Sequence, residues 1–141
     1  MKTRVMVTSI IMILFAAPIY AKDSSEKYPL NEGQIAFAKK NILMGLRSGN
    51  SGLMEACLML ISKIKMSCQE TNVADIITVI DSLALASPSG VLRYKAFLVS
   101  NICAHPEWFV IDNALYTRMA DGFFVTAARL LQQKMFSTKP S

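Results

Sequence analysis

The side chains able to do chemistry are few. One histidine, His105, is accompanied by three cysteines, Cys57, Cys68 and Cys103. A zincin needs two histidines one helical turn apart, and serine or cysteine triads need a histidine as the base. His105 would have to serve alone, and its place before Pro106 suits a helix-end dipole partner or an exposed ring. Cys103-x-His105 supplies two potential metal ligands with no second pair nearby in sequence, so no metal site is expected. Ser62-Lys63-Ile64-Lys65 matches the S-x-x-K pattern of penicillin-binding enzymes, but its companion motifs are missing. No glycine-rich phosphate loop is present, and acidic pairs such as Asp75/Asp81 and Glu107/Asp112 read as helix-surface and first-turn charges. The expectation is a non-enzymatic protein with no cofactor and no catalytic residues.

Whatever these residues do, helices must position them. Asn31 can cap a first helix whose apolar residues Ile35, Ala38, Ile42 and Leu46 recur at spacings of three and four, with Gly49-Asn50 as its stop. A second helix from Ser51 to about Ser67 places Leu53, Met54, Cys57, Leu58, Ile61 and Ile64 on one face. Thr71 or Asn72 can cap a third, with Val73, Ile76, Ile77, Ile80, Leu83 and Ala84 inward and Asp75, Thr78 and Ser82 outward. Ser87-Pro88-Ser89-Gly90 breaks the chain. A fourth helix follows, with Val91, Leu92, Leu98, Val99, Ile102 and Cys103 apolar, and stops at His105-Pro106. From Glu107 a last helical stretch runs to about Phe136 through Leu115, Met119, Phe123, Phe124, Ala127, Leu130, Leu131 and Met135, with Gly122 a candidate break. No hairpin signal accompanies alternating apolar residues, so no sheet is expected.

Before these helices, Lys2 and Arg4 precede the apolar run from Val5 to Ala17, and Pro18 to Ala21 lead into the polar segment Lys22 to Lys27. This is the layout of a secretory signal cleaved after Ala21. An uncleaved anchor is the alternative, although the apolar run falls short of the roughly 20 residues that span a bilayer. The expected organisation is a signal peptide over 1–21, a polar lead-in over 22–30, one helical domain over 31–136 and a disordered tail over 137–141. The protein is expected to be periplasmic or secreted, with no membrane attachment after cleavage. The whole chain carries a net charge of +5. Without Lys2 and Arg4, 13 basic residues face 10 acidic ones, a scattered +3 that gives no reason to expect nucleic acid as a partner.

Residues 51–64 overlay residues 89–102 at an offset of 38, with five identities in fourteen positions: Ser51/Ser89, Gly52/Gly90, Leu60/Leu98, Ser62/Ser100 and Ile64/Ile102. Each unit would hold a helix, a turn and a second helix, and a single pair cannot bury its apolar face alone. Through this period and the helix-initial Ser51-Gly-Leu and Ser89-Gly-Val, the chain resembles the HEAT-like or armadillo-like α-helical repeat superfamily in a small secreted bacterial-type version. The resemblance spans about residues 31–105. It implies an all-α fold, a short right-handed stack of five or six helices in antiparallel pairs. A non-repetitive helical bundle is the structural alternative. The offset also sets Cys68 one turn beyond the equivalent of Cys103. Free thiols are the default and a Cys68–Cys103 disulfide in an oxidising compartment is the alternative, with Cys57 packed as a small hydrophobe.

The functional expectation is a protein-interaction or scaffold module for an unidentified protein partner. Solenoids bind through the face lined by one set of helices, which points to Asp75, Thr78 and Ser82, with Tyr116 an aromatic candidate and Trp108 a core residue. The alternative is a carrier of a small apolar ligand or lipid, with methionines and Phe123-Phe124 lining a cavity between helices.

Overall fold

The computed structural model describes residues 31–109 and 120–137. The expected signal peptide and lead-in segment, Leu115, Tyr116, Met119 and the expected tail from residue 138 lie outside these residues. The described residues form five α-helices, α1 (Glu32–Leu46), α2 (Ser51–Ser67), α3 (Ala74–Ala86), α4 (Gly90–Ala104) and α5 (Ala120–Ser137), with a 3-10 turn over Pro106–Trp108 between α4 and α5. Among the described residues there is no strand, and the fold is all-α.

The helix limits follow from local chemistry. Asn31 closes a capping box on α1: its side chain accepts from the Gln34 N–H at 2.8 Å, and the Gln34 side chain accepts from the Asn31 N–H at 3.0 Å. Asn50 and Ser89 cap α2 and α4 through one bond each, their side chains accepting from the N–H groups of Leu53 and Leu92. Gly49 at φ 71° supplies the left-handed residue of the turn between α1 and α2, where a Cβ would be strained. The expected cap of α3 is displaced by one residue. Val73 holds the cap position, and the Asn72 side chain accepts from the Ala74 N–H at 3.0 Å.

Packing pairs α1 with α2 and α3 with α4, while α2 lies against α4 and α1 against α3. Gly45, near the end of α1, faces Cys57 in the second turn of α2 so closely that a Cβ there would come within 2.3 Å of the sulfur. In the second turns of α2 and α4, Lys95 Nζ donates to Glu55 Oε2 at 2.8 Å. In their last turns, the charge of Lys65 acts on Cys103. The hydrogen bond near their starts and the nearness of Lys65 to Cys103 at their ends put α2 and α4 side by side in the same direction. At the offset of 38, Met54/Leu92, Leu58/Ala96, Ile61/Val99 and Ile64/Ile102 are buried pairs. α5 packs on α4, α2 and the 3-10 turn, bringing Phe123, Phe124, Ala127 and Leu131 into one core with these residues.

Several expected core positions lie elsewhere. Val91 is 61% exposed because it sits in the first turn of α4, where the helix emerges from the Ser87–Ser89 turn. Met135 is 64% exposed near the end of α5. Leu60 is half-buried although its repeat equivalent Leu98 is buried, since Leu60 falls at the margin of the inward face of α2. The last stretch does not begin as an α-helix at Glu107: Pro106 starts a 3-10 turn, and the ring of Phe109 is buried directly after it. Gly122 does not divide α5, which runs through it without interruption.

Candidate functional site

On α1 the inward side carries Ala38, Ile42, Gly45 and Leu46. The outward side carries Phe37 and Met44, 55% and 56% exposed, with exposed Lys40 and Arg47 between and after them. The spacings of three, four and three put these four residues within one sector of about 80°, a stripe about 15 Å long that alternates apolar and basic. Lys40 and Arg47 have no ion pair among the described residues. The neighbouring Lys39 points the other way and pairs with Asp75 of α3 at 3.7 Å. Asn41, one turn from Phe37, has a buried side-chain nitrogen with no hydrogen-bond partner.

A second feature is an open groove of about 560 Å³ lined by Tyr94 and Lys95 of α4 and by Asp121, Phe124, Val125, Ala128, Arg129 and Gln132 of α5. Lys95 is its organising residue. The side chain is 13% exposed, its ammonium donates to Glu55, lies 3.9 Å from Asp121 and sits 5.0 Å above the Phe124 ring. Phe124 in turn meets Phe123 edge to face at 5.2 Å. One half-buried cation thereby ties α4 to α2 and α5, and its two carboxylate partners offset the cost of its partial removal from water.

The residues singled out from the sequence are dispersed. Asp75, Thr78 and Ser82 are exposed on α3 as expected. Asp75 faces Lys39, the Thr78 hydroxyl donates to the Ala74 carbonyl, and Ser82 lines a separate groove of about 340 Å³ where the α1–α2 and α3–α4 turns meet, beside Met54, Leu83 and Leu92. Tyr116 lies outside the described residues. The S-x-x-K pair is not assembled: the buried Ser62 hydroxyl donates to the Leu58 carbonyl at 2.8 Å, and the Lys65 ammonium reaches the carbonyls of Gln69 and Thr71. His105 caps the end of α4 with its ring stacked on Trp108 at 4.0 Å and its Nδ1 3.5 Å from Glu107. Trp108 is half-buried rather than a core residue. No cluster of three metal-ligating side chains occurs among the described residues.

All three cysteines carry free thiols: Cys57 and Cys103 are buried, and Cys68, at the C-cap of α2, is half-buried. Burial pushes the thiols of Cys57 and Cys103 up from 9.0 to about 11, with the Asp81 charge adding to the rise at Cys103 and Lys65 opposing it.

The α1 stripe lies off the inward series Ile35, Ala38, Ile42 and Leu46 that the helical spacing marks. Its signal was present in Phe37 and Met44, two large apolar residues seven apart and off that series. No family model, curated protein or solved structure matches the chain.

Proposed function

We propose that the protein is an exported, non-enzymatic helical-repeat module that acts by binding another protein. The observation that carries this reading is the outward stripe of α1. Helical-repeat stacks need a polar outer face on their terminal helices to remain soluble, whereas α1 holds Phe37 and Met44 more than half exposed. The two helix pairs, the parallel course of α2 and α4 and the shared burial at an offset of 38 support the HEAT-like reading. Among the described helices, α2 and α3 are the main neighbours of α1. A photo-crosslinking amino acid at position 37 should yield a discrete adduct in the native envelope, and the same group at the exposed Gln69 should not. Equal labelling from both positions would defeat the reading.

The carrier alternative draws on the α4/α5 groove, whose apolar residues Tyr94, Phe124, Val125 and Ala128 adjoin the cations Lys95 and Arg129. This groove opens to solvent along its length, whereas small-ligand sites bury most of the ligand surface. Native mass spectrometry of protein purified without detergent decides between the two: a stoichiometric fatty-acid adduct lost in Val125→Asp would favour the carrier.

A further inference from the structure

We infer that the outward stripe of α1 docks an amphipathic helix of another protein whose facing ridge alternates apolar and acidic residues. The inference rests on the interaction-module reading and adds the chemistry of the partner. Phe37 and Met44 lie seven residues apart, the repeat at which helix–helix ridges meet, so a helical partner can place one apolar side chain against each. Lys40 and Arg47 alternate with them in the same sector and lack an ion pair among the described residues. Carboxylates at matching positions of the partner would pair with both cations. Apolar packing supplies the contact, and charge sets the register and excludes neutral or basic helices.

A second copy of the chain fits poorly. A two-fold pair of α1 stripes brings four cations into one interface with no carboxylate from the stripe, and like charges at such separations repel. The arrangement on α1 also differs from that of the α4/α5 groove, where Lys95 already has Glu55 and Asp121. Docking on α1 therefore leaves the cation that ties α2, α4 and α5 undisturbed.

The test uses the exported protein and a fluorescent 18-residue helical peptide carrying Leu and Glu alternately at spacings of three and four, a twin with Gln for Glu, and a third with Lys for Glu. Fluorescence anisotropy should show binding of the Glu peptide that weakens as salt rises and falls about tenfold or more for the Gln twin. Phe37→Ser/Met44→Ser should abolish it. Lys40→Glu/Arg47→Glu should abolish it too, and should gain affinity for the Lys peptide. All four positions are exposed, and circular dichroism is the check that each variant remains folded. Equal binding of the Glu and Gln peptides, or indifference to the charge reversal, overturns the acidic-helix inference. So does preferential binding to phosphatidylglycerol vesicles, or a dimer by sedimentation that the Phe37→Ser/Met44→Ser variant loses. A crosslink at position 37 without affinity for the Glu peptide would retain the interaction module and reject this partner chemistry.

Discussion

The three thiols show how burial, rather than residue type, decides reactivity. Cys57 and Cys103 hold their protons to about pH 11, so attack by a disulfide reagent at pH 8 should modify Cys68 first and the other two only on unfolding. The pH dependence has a definite sign. Between about pH 9 and 11 the unfolded chain loses thiol protons that the folded chain keeps, so the stabilisation held below pH 9 should drain away across that window. Urea midpoints at pH 8 and pH 10.5 measure the loss, and a Cys57→Ala/Cys103→Ala variant should show less of it. The alternative of a Cys68–Cys103 bridge is checked in the same material: thiol counting on denatured, non-reduced protein gives one free cysteine, Cys57, if it forms, and three if it does not. A second contact at this scale is the approach of Gly45 to Cys57. Gly45→Ala should destabilise by about 1–3 kcal/mol through overpacking despite the better helix propensity of alanine. Adding Cys57→Ala should recover much of that loss, and additive losses in a double-mutant cycle would refute the clash.

Among the helices, α2 and α4 carry the centre of the core, and their aligned residues are unequal. Leu98→Ala should cost about 2–5 kcal/mol because Leu98 is 1% exposed, whereas Leu60→Ala, on the margin of α2, should cost clearly less by urea unfolding. The parallel course of the two helices puts Glu55 and Lys95 in contact, and α5 closes over that contact through Phe124. Lys95→Met would leave the half-buried Glu55 carboxylate without its cation and is expected to cost about 1–3 kcal/mol. The Glu55→Gln/Lys95→Met pair should cost less than the sum of the single changes. Equal costs for Leu60 and Leu98, or strict additivity at Glu55 and Lys95, would mean that these helices do not pack as described.

At the scale of the whole molecule, the described residues bury one core, and no helix among them is long and apolar enough to cross a membrane. The export proposal is checked by intact mass. Secreted or periplasmic material should begin at Lys22 or a near neighbour, and full-length chain recovered in membranes would refute processing. Phe37 and Met44 are more than half exposed, so substituting either should change stability by no more than about 0.5 kcal/mol.

Much of the architecture was legible because it depends on interactions within a few residues. Asn31 and Ser89 lie immediately before their apolar series, Gly49 and Pro106 stop helices for steric reasons, and the spacing of three and four marks the inward faces of α1 to α4. At the offset of 38 the pairs Met54/Leu92, Leu58/Ala96, Ile61/Val99 and Ile64/Ile102 are buried, whereas Leu60 opposite Leu98 in that alignment is only half-buried. Other features needed the tertiary structure. Val91 and Met135 fit their helical series as well as their buried neighbours do, and only the reach of the adjoining helices leaves them in solvent. Phe37 and Met44 could equally have been a second buried face, as happens for a helix packed on both sides. They became a candidate binding stripe because α2 and α3 occupy one side of α1, a fact set by contacts far apart in the chain and absent from any local pattern.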